Sequence, residues 1–488
     1  MNPLGVHYQG IFVLVFLTCG WGLVALRKRT LRVVRSGNGA WVKGADSVTE
    51  THPMVTVLMP VKGVKSHSVD NWRTQVATTY PGHVEFVFIV ESQEDLAFES
   101  IKAFIQHYQE EHGADADEAF SNCNRSQSPS CYAKCRGNQR TVALFVAGAA
   151  STCSQKLHNM LYGVEQAHAD SEYTLFLDDD VTLHHRMIEH LVEERRKDPR
   201  VFMVTGYPYD LPYQDGTLFS YCVMAYHLPL LIFFMAFRST LFAWGGCMLF
   251  ATKELRSDAY GMLSKWRNGG YSDDMIAGSV TVANKRRLAS PELACFPNKL
   301  EKNVTWHHYW NYIRRQTFTL TTYSDVHNKL TNSMLMFAYP YCSAVLVTST
   351  ALSCFQVLRL LVKLVDMRER RLDTLPRLEL LMVCLWPCSL FIIMKMMNAL
   401  SKLTEQLSGD GQGTSHGNFR AGLEATAFRT LLGLLLHNSI YPFCVLYTLC
   451  VPHINWGGIE YYRRGGLVSH IDRGRTMKAC QSVNSSKY

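Results

Sequence analysis

Short apolar runs recur along the first half of the chain and alternate with segments in which apolar residues have helical spacing. The strand-length runs cover 55–60, 84–90, 141–148, 173–179 and 202–208. The helical segments lie near 69–78, 95–109, 153–168 and 184–196. This alternation predicts an α/β fold, in which a doubly wound, mostly parallel sheet carries helices on both faces.

Longer apolar stretches lie outside this pattern. Residues 11–26 contain no charge and are followed by a basic cluster that begins at Arg27. Three further stretches, 335–362, 380–397 and 431–451, approach or exceed the roughly 20 residues that span a bilayer. The basic cluster predicts an N-terminal signal anchor with the following domain in the cytosol. A cleaved signal peptide is the alternative, but its positive charge would precede the apolar run.

These patterns predict an anchor with its basic flank, a cytosolic α/β domain, a C-terminal block of membrane helices and a basic cytosolic tail. The corresponding ranges are 1–35, 52–330, 331–455 and 456–488. The net charge of +8 is concentrated beside the apolar stretches, which favours lipid headgroups over nucleic acid as its partner. Three simple crossings would leave the basic tail outside the cytosol, so we expect 335–362, which contains Pro340, to form a re-entrant or interfacial hairpin.

A polar stretch from about 110 to 140 interrupts the α/β domain. It contains Cys123, Cys131 and Cys135, and two interpretations are open. The cysteines could be zinc ligands, but the polar composition favours a mobile insertion.

Three consecutive aspartates, Asp178, Asp179 and Asp180, end the apolar run that begins at Tyr173. Ligands bind at the carboxyl ends of parallel strands, and crowded carboxylates there need a cation between them. A divalent metal that carries a diphosphate meets this need. Neither a Gly-x-Gly-x-x-Gly loop after the first strand nor a Walker lysine loop is present to bind phosphate instead. The alternative is a solvated acidic turn or a helix cap.

A second acidic pair, Asp273 and Asp274, follows a Gly-Gly turn, and Arg314 and Arg315 come some 40 residues later. Carboxylates at a helix N-terminus are often simple caps. The arginines have the planar fork that suits a diphosphate. The order of these features along the chain is more informative than any one of them.

With these motifs the chain resembles membrane-bound, inverting glycosyltransferases of the GT-A fold, and most closely the ceramide glucosyltransferases of plant and algal type. The matching segments are 59–63 (MPVKG), 71–92, 152–159 (TCSQKLHN), 176–181 (FLDDDV), 205–212 (TGYPYDLP), 244–249 (WGGCML), 269–275 (GGYSDDM) and 309–318 (YWNYIRRQTF). The resemblance implies UDP-glucose as donor, the primary hydroxyl of ceramide as acceptor and β-glucosylceramide as product. It also implies an integral membrane protein of the Golgi or endoplasmic reticulum.

The resemblance further implies roles for the acidic residues. Asp178 and Asp180 occupy the Asp-x-Asp position that holds Mg²⁺ or Mn²⁺ against the donor diphosphate, with Asp179 between them in the donor site. Asp274 occupies the position of the general base, and Asp273 lies beside it.

Further roles follow for the residues of the donor site. Arg315, with Arg314 beside it, matches the arginine of a Gln/Arg-x-x-Arg-Trp motif, but Gln316 replaces the tryptophan. That replacement favours a single transfer over polymer growth. Lys156 and Asn159 match a nucleotide-contacting Lys-x-x-Asn stretch, and Glu91 is expected at the uracil or ribose.

Other functions remain open from the sequence. The acceptor could be another lipid alcohol, such as a sterol or diacylglycerol, or the chain could be a processive polysaccharide synthase. A catalytically inactive scaffold is a third possibility. The apolar segment 217–251 is expected to lie at the membrane interface and admit the acceptor. His227 within it would contact substrate or serve as a structural histidine.

Overall fold

The computed structural model describes residues 52–112, 129–134, 139–236, 239–240, 242–291, 294–365 and 423–473, together with the isolated positions 22, 388, 391, 392 and 395. The strands are β1 (Val55–Pro60), β2 (Val84–Val90), β3 (Cys131–Lys134), β4 (Arg140–Val146), β5 (Tyr173–Leu177), β6 (Val201–Thr205), β7 (Tyr207–Leu211), β8 (Ser239–Thr240), β9 (Cys247–Ala251), β10 (Arg287–Ala289), β11 (Cys295–Lys299), β12 (His453–Trp456), β13 (Ile459–Arg464) and β14 (Leu467–Asp472). The helices are α1 (Ser68–Val76), α2 (Leu96–His112), α3 (Gln155–Gln166), α4 (Met187–Lys197), α5 (Leu218–Ala236), α6 (Thr252–Arg256), α7 (Met262–Arg267), α8 (Asp273–Ala283), α9 (Trp306–Thr321), α10 (Val326–Val365) and α11 (Leu423–Cys450).

The central sheet has the strand order β3-β4-β2-β1-β5-β9-β6-β10-β8. Strands β4, β2, β1 and β5 pair in parallel, as do β6 and β10. Strands β3, β9 and β8 run antiparallel to their neighbours. The predicted α/β class with a mostly parallel sheet is therefore confirmed.

Helices cover both faces of this sheet. One face packs against α1, α2 and α4, which contribute Trp72, Ile101 and Leu191 to a common core. The other face packs against α3, α7 and α8, where Leu157 and Trp266 are buried. Because both faces are covered, all seven residues of β2 are buried, which is why the strand is apolar apart from Glu85.

Strand β9 lies between β5 and β6, antiparallel to both. It belongs to the segment 217–251 that was expected to be one interfacial element. The segment instead divides into α5 and a buried strand, and α5 packs against α11 and β7. Residues Leu218–Leu231 of α5 form an apolar stretch that is shorter than a membrane span.

Two described helices, Val326–Arg359 within α10 and Phe428–Cys450 within α11, are long and apolar enough to cross a membrane. Helix α10 continues through Pro340, so the expected hairpin at 335–362 is wrong. A proline removes one backbone donor, and the flanking turns continue the helix on both sides. The predicted anchor at 11–26 and the stretch 380–397 lie outside the described residues, apart from isolated positions.

Residues His453–Asp472 form a three-stranded antiparallel sheet, which we call the C-terminal sheet. Residues 456–472 were predicted to begin a basic cytosolic tail, and the structure shows that they form strands and turns. The glycine pairs Gly457–Gly458 and Gly465–Gly466 have positive φ angles, as two-residue hairpin turns require. Residues 474–488 lie outside the described part of the chain.

The predicted insertion at 110–140 contributes one edge strand to the central sheet. Cys131 lies in β3, opposite Leu144 of β4. A mobile insertion is therefore the wrong description of residues 131–134. Cys123 and Cys135 lie outside the described residues.

Candidate active site

A cavity of about 210 Å³ opens at the carboxyl end of β5. One part of its wall carries Asp178, Asp180, Asp273, Asp274 and Lys156. The fold therefore brings together both acidic clusters and the lysine that were singled out in the sequence.

The turn after β5 presents the acidic triplet to the cavity. The Asp178 N–H donates to the Gly246 carbonyl at 3.0 Å, and Gln75 Nε2 donates to the carbonyls of Asp178 and Val181. These bonds fix the backbone of the turn. Asp178 and Asp180 line the cavity, whereas Asp179 between them does not.

Two lysines neutralise part of this negative charge. Lys156 Nζ lies 2.7 Å from Asp178 Oδ1 and 2.8 Å from Asp273 Oδ2. Lys65 Nζ lies 2.9 Å from Asp180 Oδ2. Ion pairs to the lysines thus hold both cavity-lining members of the triplet.

The triplet remains short of positive charge. Burial, with the charge of Asp180, raises the pKa of Asp179 to about 8, and burial also raises the pKa of Asp178. Although burial opposes it, Lys65 lowers the pKa of Asp180. A cation would relieve the repulsion that remains.

Asp178 and Asp180 fit a divalent metal that the substrate helps to hold. No cage of three or more His, Cys, Asp or Glu side chains is present among the described residues. Magnesium is commonly held by one or two carboxylates together with substrate phosphates, so such a cage is unnecessary.

The second acidic pair begins α8. Ser272 caps this helix and donates from its hydroxyl to Asp274 Oδ1 at 2.6 Å. The Gly245 N–H donates to Asp274 Oδ2 at 3.2 Å. Burial, together with the charge of Asp273, raises the pKa of Asp274 to about 6. Although burial opposes it, Lys156 lowers the pKa of Asp273, so the neighbouring aspartates have different proton affinities.

The Trp244–Gly246 turn also belongs to the site. In the sequence it was noted only as part of the segment 244–249, which resembles the family. A Cβ atom on Gly245 would lie 2.5 Å from Asp273 Oδ2. Only glycine therefore allows the turn to approach the acidic pair this closely. The Trp-Gly-Gly sequence directly before β9 was the available signal.

The two arginines of α9 separate. Arg315 lines the cavity, and its Cζ lies 3.5 Å from the centroid of the Trp456 ring. Arg314 instead donates to the His453 carbonyl at 3.0 Å and lies over Tyr447. Consecutive helical residues point about 100° apart, so only one of them faces the cavity.

Glu91 and Asn159, the predicted nucleotide contacts, lie beside the cavity but do not line it. Glu91 pairs with Lys62 at 2.8 Å and with Arg473 at 2.9 Å. Asn159 donates to the Ile89 carbonyl and accepts from Gln155. Both residues are engaged with protein groups in this structure.

Another part of the cavity is apolar. Its wall includes Leu230 and Phe234 of α5 and Leu335 of α10. His227 also lines it and satisfies both ring nitrogens: Nδ1 lies 2.6 Å from Asp210 Oδ2, and Nε2 lies 3.1 Å from the Tyr312 hydroxyl. His227 therefore has the satisfied hydrogen bonds of a structural histidine. It also faces the cavity, as a substrate contact would require.

Comparison with known proteins supports sugar transfer as the class of reaction. Residues 14–114 match the family model of glycosyl transferase family 21, which supports a glycosyltransferase. No curated protein sequence matches the chain. Among solved structures, the chain is similar to the mannosyltransferase PcManGT from Pyrobaculum calidifontis in complex with GDP-Man and Mn²⁺. The identity is 13%, with 89% of this chain and 99% of that chain covered, and the TM-score is 0.34.

Proposed function

We propose that this protein transfers glucose from UDP-glucose to the primary hydroxyl of ceramide, with inversion at the anomeric carbon, on the cytosolic face of a Golgi or endoplasmic reticulum membrane. One observation carries the proposal: a single cavity joins a carboxylate cluster to an apolar wall. Part of that wall comes from α10, a helix long and apolar enough to cross a membrane. A polar donor and a lipid acceptor would meet there.

The donor would bind at the acidic end of the cavity. Asp178 and Asp180 would hold Mg²⁺ or Mn²⁺, which neutralises diphosphate charge when bound. Arg315 would place its guanidinium against the same diphosphate and stabilise the charge that develops as UDP leaves. Lys156 would hold Asp178 and Asp273 in place through its two ion pairs.

The general base would be Asp274. As the ceramide hydroxyl oxygen forms its bond to the anomeric carbon, its proton would pass to a carboxylate oxygen of Asp274. The bond from that carbon to the UDP oxygen breaks at the same time, and UDP takes the electron pair. A pKa of about 6 leaves Asp274 mostly deprotonated at neutral pH and more basic than an ordinary aspartate.

The acceptor would enter along the apolar wall. Leu230, Phe234 and Leu335 would contact hydrocarbon, while the Tyr312 hydroxyl, which His227 holds, would offer a hydrogen-bonding group to a polar headgroup. Other lipid alcohols could bind in the same way. The resemblance of the motifs to ceramide glucosyltransferases favours ceramide as the acceptor.

The test uses detergent-solubilised protein with labelled UDP-glucose, Mn²⁺ and ceramide. A β-glucosylated ceramide that disappears with Asp274→Asn supports the proposal. Product with a sterol or diacylglycerol alone would keep lipid glucosylation and overturn the acceptor. Intact UDP binding without any lipid product would contradict the proposed transfer.

A further inference from the structure

The C-terminal sheet joins three segments that carry candidate site residues. The Gln155 N–H, adjacent to Lys156, donates to the Tyr461 hydroxyl at 3.1 Å. The Val468 N–H donates to the Gly269 carbonyl at 2.8 Å, in the loop that leads to Asp273. The His453 carbonyl accepts from Arg314 of α9. These contacts fix the sheet against α3, the loop before α8, and α9.

Trp456, the last residue of β12, lines the cavity beside the Gly457–Gly458 turn. Its ring centroid lies 3.5 Å from Arg315 Cζ, which places the guanidinium in contact with the ring face. The C-terminal sheet thereby contributes one wall of the candidate donor site.

Arg315 forms no ion pair with any carboxylate that the structure describes. A guanidinium held through one face keeps its N–H groups available at its edge, where an anion can accept from them. The Tyr271 hydroxyl is also near: burial raises the pKa of Tyr271 to about 12, and Arg315 opposes that shift. The arrangement holds the guanidinium in place without consuming its charge.

We infer that Trp456 is a positioning residue that orients Arg315 toward the donor diphosphate, an inference that rests on the proposed function. Without the ring, Arg315 would adopt many rotamers or turn toward the acids of the cavity. Loss of one such cation–π contact is expected to weaken nucleotide affinity by roughly 3- to 30-fold.

The experiment measures the dissociation constant of UDP with Mn²⁺, together with kcat and KM for UDP-glucose. The variants are Trp456→Ala, Trp456→Phe, Arg315→Ala and the Trp456→Ala/Arg315→Ala double variant. Tyr462→Ala is the matched control, because Tyr462 lies on the same sheet but outside the cavity wall. Trp456→Ala should weaken UDP binding by the stated factor, Trp456→Phe should restore most of it, and the control should bind like wild type.

The double variant decides between positioning and general support. If Trp456 acts through Arg315, removing the ring has no further effect once Arg315 is alanine. Additive losses, or equal losses in Trp456→Ala and Tyr462→Ala, would overturn the inference. The inference would also be overturned if Trp456→Ala binds UDP as tightly as wild type while Arg315→Ala does not. The proposed function would stand in that case. If Arg315→Ala binds UDP as wild type does, the proposed role of Arg315 fails, and the inference fails with it.

Discussion

Asp178 and Asp273 share a single ammonium group. Lys156 Nζ lies 2.7 Å from a carboxylate oxygen of the first and 2.8 Å from one of the second. Asp178 directly follows the central strand β5 and Asp273 begins α8, so one lysine joins the candidate metal ligands to the acidic pair that contains the candidate general base. A change of charge in one cluster is therefore felt in the other.

Replacing this lysine should destabilise the fold. Lys156→Gln leaves two carboxylates facing each other, and we expect a loss of about 2 kcal/mol in the free energy of unfolding. This is less than the roughly 3–5 kcal/mol of a fully buried pair, because a quarter of the Lys156 side chain is exposed. Thermal denaturation in detergent measures the loss. Lys197→Gln, which breaks an exposed pair with Glu194, is the control and should change little.

The two acidic clusters should differ in what they contribute. Asp274→Asn is expected to lower kcat by about 10²–10⁴-fold while leaving UDP binding intact, because it removes the base alone. Asp180→Ala is expected to lose metal-dependent UDP binding as well. Titration of UDP with and without Mn²⁺ separates the two variants. Equal losses of UDP affinity would contradict the assignment.

Activity should fall on the acidic side of pH 6. The pKa of Asp274 is raised to about 6, so below that value the base is increasingly protonated and kcat should decline about tenfold per pH unit. The profile of kcat against pH measures this limb. A limb near the ordinary aspartate value of about 3.9 would show that Asp274 is not the group being titrated.

The same pKa shift predicts a pH dependence of stability. The folded form binds a proton that the unfolded form releases between about pH 4 and pH 6, so the free energy of unfolding falls as pH rises through that window. Asp274→Asn removes this contribution. The difference between wild-type and variant melting temperatures should therefore change across the window, and a constant difference would contradict the shift.

His227 should matter for the acceptor and not for the donor. It lies on the wall that carries Leu230 and Phe234, and its ring is fixed by Asp210 and Tyr312. His227→Ala releases the Tyr312 hydroxyl that His227 holds at this wall, so it is expected to raise the KM for ceramide by about tenfold, the value of one hydrogen bond, with little change in UDP affinity. His308→Ala, at an exposed position of α9, is the control. A larger effect on UDP than on ceramide would place the donor at this wall instead.

The sequence predicted the parts of the fold that depend on local pattern. Parallel strands buried on both faces are continuous apolar runs, and acids at the end of such a run are conspicuous. The strand predicted at 173–179 ends at Leu177 in the structure, because the aspartates that follow form the turn. The five-residue strand β9 was not predicted, since a short apolar run beside α5 looks like more of the same helix.

The C-terminal sheet was not predicted because its partners are distant in sequence. Alternating residues around the Gly457–Gly458 and Gly465–Gly466 pairs were a local signal for hairpins. No local signal indicated that Trp456 would meet Arg315. Likewise, the separation of Arg314 from Arg315 depends on how α9 is rotated against the sheet, which is set by tertiary packing.

The position of the C-terminal sheet also limits how the chain is threaded through a bilayer. The sheet packs against α3 and the loop before α8, so residues 453–473 lie on the same side as the α/β domain. If the chain between them enters a bilayer, it must therefore return to the side from which it entered. Helices α10 and α11 supply two candidate crossings. A reporter placed after Arg473 would face the same compartment as one inserted in the α/β domain.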